Sequence, residues 1–90
     1  MTWNYRIVDR DDLGEGRWYM LCEVHYDKEC RPISFTENPC TFGSGLEMGP
    51  GEIIGGLKMA LDCAERHPIL LASEVIAGTA PILPRQQEYW

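Results

Sequence analysis

Three stretches within the first 36 residues alternate between apolar and polar positions, the period-two pattern that is typical of β-strands. They span residues 3–8, 17–26 and 32–36. Their connections are rich in charged residues and too short for a parallel crossover, so we expect the strands to pair as an antiparallel meander. The face of the second strand that is expected to be buried carries Trp18, Met20, Cys22, Val24 and Tyr26.

Helical spacing replaces this alternation near residue 52. Apolar side chains recur at intervals of three and four across residues 52–67, with charged residues between them, which predicts one amphipathic helix. The stripe expected to face the sheet consists of Ile53, Ile54, Leu57, Ala60, Leu61 and Ala64. Pro68 ends the helix, because the residue before a proline is pushed out of helical conformation. The glycine-containing residues 37–51 form the loop that leads into it.

Together these elements predict an α+β fold: a three-stranded antiparallel β-meander packed by one C-terminal amphipathic helix, in the order βββα. Ninety residues are enough for one small domain. We place that domain at residues 1–72 and expect a loosely ordered tail over residues 73–90. This tail either docks on the sheet or remains apart from it. Residues 69–72 fit either a short strand or an apolar flap, and residues 73–78 fit either a helical turn or extended chain.

A single helix covers only one face of a three-stranded sheet, and apolar side chains left on the other face are typical of a partner surface. That face carries either Trp3 and Tyr5 with Met20 and Tyr26, or a mixed set that includes Tyr19, Leu21 and His25. The partner-binding candidates are therefore Trp3, Tyr5, Tyr19, Leu21, His25 and Tyr26. In the alternative arrangement, the segment after Pro68 covers this face within the monomer.

The charge of the chain narrows the choice of partner. Fourteen acidic and eight basic residues give a net charge of −6, with no basic patch in either half of the chain. Binding to nucleic acid or to an anionic membrane surface is therefore not expected. No apolar run is long enough to span a membrane, and the N-terminal residues lack the pattern of a signal peptide, so we expect a cytoplasmic protein.

The four cysteines do not form a C-x-x-C motif, which argues against a zinc knuckle or a redox pair. Cys22 and Cys63 fall on apolar patterns and are expected to be small core residues. Cys30 and Cys40 fall in turns and are the more exposed thiols. Disulfides are not expected, because the cytosol keeps thiols reduced.

His25 and His67 are the only imidazoles in the chain. His25 is expected at the surface near a strand end, and His67 is expected to cap the helix C-terminus as a cation favoured by the helix dipole. No motif brings either histidine together with a thiol and an orienting acid, so no catalytic residue, metal site or cofactor is predicted and the protein is not expected to be an enzyme.

Several motifs resemble a family of short bacterial proteins of unknown function. They are W-N-Y-R at residues 3–6, E-V-H-Y-D at residues 23–27 and P-I-S-F-T-E-N-P at residues 32–39. The resemblance covers about residues 3–68 and implies no activity and no site residue. This chain departs from the family at Cys30, where the pattern has glycine. A non-glycine residue at positive φ costs about 1–2 kcal/mol, so an altered turn is expected there.

These observations favour a small protein-interaction module that forms homodimers through an aromatic sheet face. An alternative hypothesis is an acidic inhibitor, encoded by a phage or mobile element, that binds a basic nucleic-acid-binding protein. A third is a thiol-based or metal-binding function.

Overall fold

The computed structural model describes residues 3–14, 18–42 and 49–83. In chain order its elements are strand β1 (Trp3–Asp9), a 3-10 turn (Asp11–Leu13), strands β2 (Tyr19–Tyr26) and β3 (Pro32–Phe35), helix α1 (Pro50–Arg66), strand β4 (Leu70–Leu71) and helix α2 (Ala72–Ala77). The strands form one sheet in the order β3-β2-β1-β4, with β4 parallel to β1 and the other pairs antiparallel.

The fold is α+β, and its first three strands form the predicted antiparallel meander. The prediction of three strands and one helix is incomplete, because β4 adds a parallel edge strand beside β1 and α2 adds a second helix. A short strand at residues 69–72 and a helical turn at residues 73–78 are among the alternatives that the sequence leaves open. Strand β4 consists of only two residues, which pair with Val8 and Asp9. A strand of this length is too short to show a period-two pattern in the sequence.

A tight turn joins β2 to β3. The Asp27 carboxylate accepts hydrogen bonds from the backbone N–H groups of Glu29 and Arg31, both at 2.9 Å, and the Cys30 N–H donates to the Asp27 carbonyl at 3.0 Å. Cys30 has φ = 66°. It therefore adopts the left-handed conformation that favours glycine, and the expectation that this turn would avoid that geometry is wrong.

The sheet has a core face, which carries Asn4, Arg6, Val8, Met20, Cys22, Val24 and Tyr26. Strand β4 extends this face with Leu70, which pairs with Val8. Helix α2 and residues 80–83 cover the face and contribute Ala72, Val75, Ala80 and Leu83 to the core. Helix α1 packs against β1, as the prediction of a helix on the sheet requires, but among the described residues it contributes none to this core. Trp18 precedes β2 and is exposed, so it does not belong to the core.

Hydrogen bonds that involve backbone groups hold α2 and residues 80–83 on the sheet. Arg31 donates from Nη1 to the Ala80 carbonyl at 2.8 Å, and the Leu83 N–H donates to the Cys30 carbonyl at 2.9 Å. At the start of α2, the Asp11 carboxylate accepts hydrogen bonds from the Ser73 N–H and hydroxyl. Residues 73–83 of the predicted tail therefore pack on the sheet, and residues 84–90 lie outside the described residues.

Helix α1 begins at Pro50, whose fixed φ suits the first helical position, and ends at Arg66 before Pro68. Its two buried side chains are the small residues Ala60 and Cys63. Small side chains let the helix axis approach β1 closely, and they leave the bulkier apolar residues of the helix outside this contact. Neither described helix has the length and apolar character needed to cross a membrane.

His67 follows α1, and its backbone N–H donates to the Cys63 carbonyl at 3.1 Å. Its side chain is buried, and neither ring nitrogen has a hydrogen-bond partner among the described residues. Burial lowers the pKa of His67 below its usual value of 6.5, and the positive charge of Arg6 lowers it further. His67 is therefore the C-cap residue of α1, as expected, but the expectation that it is a cation is wrong, since this environment favours the neutral imidazole.

Candidate interaction surface

The side of the sheet opposite the core face is an aromatic face, made of Trp3, Tyr5, Ile7, Tyr19, Leu21, Glu23 and His25. The register defines it, because directly paired residues of antiparallel strands point to the same side. Trp3 pairs with His25, and Tyr5 pairs with Glu23. Five of the six predicted partner-binding residues therefore lie together on this face: Trp3, Tyr5, Tyr19, Leu21 and His25.

Tyr26 is the exception, because it lies on the core face and is buried. Its hydroxyl donates to Asn4 Oδ1 at 2.8 Å and accepts from Arg6 Nη1 at 3.2 Å. Burial raises the pKa of Tyr26, and the neighbouring guanidinium of Arg6 opposes this effect. The prediction that Met20 and Tyr26 share a face with Trp3 and Tyr5 is therefore wrong, because the strand register places them on opposite sides of the sheet. Tyr26 is buried and is not available to a partner.

The β1 half of the aromatic face is packed within the chain. The rings of Trp3 and Tyr5 meet edge to face with centroids 5.3 Å apart, and Phe42 lies 5.9 Å from Tyr5. Phe42 also approaches Gly56 of α1, where an added Cβ would lie 3.1 Å from its ring. Burial and the nearby Glu23 carboxylate raise the pKa of Tyr5. Phe42 and α1 therefore shield this half of the face.

The β2 half is more open. Tyr19 and His25 are exposed, as expected for His25, while Leu21 and Glu23 are partly buried. The chain after β3 continues along β2, since the Thr36 N–H donates to the Glu23 carbonyl at 3.1 Å and the Cys40 N–H donates to the Leu21 carbonyl at 2.9 Å. An open cleft of about 440 Å³ lies between this segment and Glu23.

The thiols do not favour nucleophilic chemistry at this cleft. Burial raises the pKa of Cys40, and the negative charge of Glu23 raises it further. Burial also raises the pKa of Cys22. A raised pKa keeps the thiol protonated at neutral pH, whereas a reactive cysteine needs the thiolate. Cys22 and Cys63 are buried as predicted, Cys30 and Cys40 are partly buried, and all four thiols are free.

Among the described elements, helix α1 has the largest number of exposed, large aliphatic side chains. Ile54, Leu57 and Leu61 are 52%, 49% and 61% exposed, respectively. Their spacing of three and four residues places them along one side of the helix. We call these three residues the α1 stripe. Large aliphatic side chains grouped in this way are typical of an association surface.

The α1 stripe was not predicted, because Ile54, Leu57 and Leu61 were all expected to face the sheet. The sequence does contain a signal for this exposed stripe, namely the width of the arc that apolar residues cover around the helix. Ile53, Leu57 and Leu61 lie on one flank of Ala60, whereas Met59 and Cys63 lie on the other. An arc this wide exceeds the contact that a single strand offers, so one flank has to remain exposed.

Charged residues border the α1 stripe. Lys58 and Glu65 are exposed and lie seven positions apart, within three or four residues of Leu61. Asp62 and Arg66 pair with each other on the neighbouring side of the helix at 2.6 Å. The stripe therefore has one cationic and one anionic neighbour along the same edge of the helix.

Among the described residues, no three His, Cys, Asp or Glu side chains form a group that could hold a metal ion. Comparisons with protein-family models, with curated proteins and with solved structures found no match to this chain.

Proposed function

We propose that this chain is a small protein-interaction module that associates with a second copy of itself through the α1 stripe. The observation that carries the proposal is the exposure of Ile54, Leu57 and Leu61 on one side of a 17-residue helix. Burying these side chains against a copy removes a large apolar area from water, which is the main favourable term in protein association. The contact lies on α1 rather than on the aromatic face, because Phe42 and α1 shield half of that face.

Charge supports a second copy as the occupant. Helix α1 has the acids Glu52, Asp62 and Glu65 and the bases Lys58 and Arg66, so its net charge is 2 − 3 = −1, against −6 for the whole chain. Electrostatic repulsion between two such helices is therefore small. In a two-fold antiparallel pair with the axis beside Leu61, Lys58 of each copy faces Glu65 of the other, and Leu57 lies opposite Arg66 at the end of the other helix.

The alternative proposal, an acidic inhibitor that presents carboxylates to a basic protein, receives less support. Asp12 forms a two-pronged ion pair with Arg10, both contacts at 2.9 Å, and Asp11 binds Ser73. Asp62 is paired with Arg66. Acids that are engaged within the chain are less available to mimic a phosphate backbone.

Sedimentation equilibrium of the full chain tests self-association, with the double variant Leu57→Ser/Leu61→Ser as the disrupting change. We expect a dimer for the native chain and a dissociation constant at least roughly tenfold higher for the variant, because burial of the exposed parts of the two leucines together contributes more than about 1.4 kcal/mol. Ile76→Ser is the control, since Ile76 is an aliphatic residue on α2 that is more exposed than either leucine.

A charge swap makes the test specific for the antiparallel register. Lys58→Glu and Glu65→Lys are each expected to weaken the dimer, and the variant that combines them is expected to restore it. A native chain that stays monomeric at roughly 1 mM, where associations as weak as about 4 kcal/mol are populated, contradicts the proposal. Equal weakening by Ile76→Ser contradicts the assignment to α1.

A further inference from the structure

A small cavity lies where the core face meets the segment after α1. Its volume is about 130 Å³. The polar residues in its lining are Arg6 and Glu74, and aliphatic walls come from Ile69, Leu70, Ile82 and Leu83. Sites for drug-sized ligands and cofactors are about 300–1,000 Å³, so this cavity is too small for a nucleotide. The volume corresponds to roughly four water molecules in the liquid.

Arg6 places a positive charge at this cavity. Its side chain is only 4% exposed. Nε and Nη2 donate to the Pro68 carbonyl at 3.2 and 2.8 Å, and Nη1 donates to the Tyr26 hydroxyl at 3.2 Å. A guanidinium has five N–H donors, so two of them remain beyond these three bonds.

Neutral oxygens accept all three of these hydrogen bonds. Among the described residues, Arg6 forms no ion pair with a carboxylate, in contrast to Arg10, which pairs with Asp12, and Arg66, which pairs with Asp62. A buried cation that lacks a carboxylate partner is costly, because the protein interior does not replace the lost hydration. An anionic group that enters the cavity would offset this cost.

Glu74 restricts which anion fits. This partly buried residue of α2 also lines the cavity, so a ligand with only a negative charge is repelled by it. A ligand with one charge of each sign satisfies both residues. The remaining walls are aliphatic and favour an apolar group between or beside the two charges.

We propose that this cavity binds a small zwitterion, namely a free aliphatic α-amino acid. Its carboxylate accepts the remaining N–H donors of Arg6, its ammonium group is attracted to Glu74, and its side chain packs against Ile82 and Leu83. Guanidinium–carboxylate pairing is among the strongest hydrogen-bonded contacts in proteins, which suits recognition in so small a space. This site is separate from the α1 stripe and does not depend on self-association.

The test is a titration of the full chain, followed by backbone and arginine Nε–H NMR signals. The probes are L-valine, isovalerate, which lacks the ammonium group, and isobutylamine, which lacks the carboxylate. We expect L-valine to shift the signals of Arg6, Leu70 and Ile82, and we expect each singly charged probe to bind at least roughly tenfold more weakly.

Two variants with the same change in charge separate binding from folding. Glu74→Gln is expected to weaken L-valine binding by roughly tenfold and to strengthen isovalerate binding, because the repulsion is removed. Glu52→Gln, in the exposed first turn of α1, is expected to leave both affinities unchanged. The proposal is overturned if no probe shifts the cavity signals at concentrations that detect a dissociation constant of about 1 mM. It is also overturned if isovalerate binds native protein as tightly as L-valine does, or if the two variants behave alike.

Discussion

Arg6 donates two hydrogen bonds to the carbonyl oxygen of Pro68, which lies 62 positions later in the chain. Arg6 lies in the middle of β1, and Pro68 follows the end of α1. The contact therefore joins the sheet to the point where the chain leaves α1 and turns into β4. It also satisfies a carbonyl beyond the helix end, where backbone acceptors have no partner within the helix.

Replacing Arg6 with lysine is expected to lower the free energy of unfolding by about 2 kcal/mol. Lysine cannot reproduce the planar fork that reaches both the Pro68 carbonyl and the Tyr26 hydroxyl, and hydrogen bonds to charged groups contribute about 1.5–3 kcal/mol each. Urea unfolding followed by tryptophan fluorescence measures the change. The matched control is Arg66→Lys, whose exposed pair with Asp62 predicts a change within about 0.5 kcal/mol. Equal losses in the two variants would show that the Arg6 contacts are not what stabilises this junction.

The same cluster explains which face of β1 is buried in the core, a choice that the alternation of residues left open. Trp3, Tyr5 and Ile7 are the apolar positions of that strand, whereas the alternate positions include Asn4 and Arg6. The structure buries the second set because Asn4 and Arg6 are both hydrogen-bonded to Tyr26. The alternation of apolar and polar residues shows that a strand has two different faces. It does not show that polar side chains on one face can be buried because they form hydrogen bonds with a neighbouring strand.

Elements that depend on local pattern were predicted well, and those that depend on distant partners were not. The bounds of α1 differ from the predicted helix by two residues at its start and one at its end. Helix α2 has six residues, and no capping side chain of its own holds its first turn. Its start is bound instead by Asp11, which is 62 positions away from Ser73. No local signal predicts such a contact, and the cover of the core face depends on it.

Two adjacent glycines in α1 offer a matched comparison. An added Cβ at Gly55 meets nothing within 4 Å, whereas one at Gly56 lies 3.1 Å from Cδ1 of Phe42. Alanine is favoured over glycine in a helix by about 1 kcal/mol. Gly55→Ala is therefore expected to stabilise the protein by about 1 kcal/mol, and Gly56→Ala is expected to gain less because the Phe42 ring has to shift. Thermal unfolding measures both, and a larger gain at Gly56 would contradict the contact with Phe42.

Cys30 is strained by its left-handed backbone, with φ = 66°. Cys30→Gly is expected to stabilise the protein by about 0.5–1 kcal/mol, because relief of a cost of about 1–2 kcal/mol exceeds the extra backbone entropy that glycine loses on folding. Cys30→Ala is the control, since it removes the thiol and keeps the strain. Denaturant unfolding under reducing conditions measures both, and a gain in the alanine variant equal to that in the glycine variant would show that the backbone is not the cause.

Because of His67, we expect the free energy of unfolding to fall at mildly acidic pH. Its pKa is lowered in the folded state by burial and by Arg6, whereas the unfolded chain takes up the proton near pH 6.5. The unfolded state therefore binds more protons below that pH, so the free energy of unfolding is highest above pH 6.5 and falls as the pH drops below it. The slope from one such group is at most about 1.4 kcal/mol per pH unit.

Urea unfolding at a series of pH values between about 7 and 5 measures this slope above the range in which most carboxylates titrate. His67→Gln is expected to flatten the profile, because the variant has no group that titrates there, even if it is less stable at every pH. His25→Gln is the matched control, since His25 is exposed and its removal leaves the buried imidazole in place. An NMR titration of the His67 ring protons that gives a pKa at or above 6.5 would contradict this explanation, and so would a slope that disappears in His25→Gln rather than in His67→Gln.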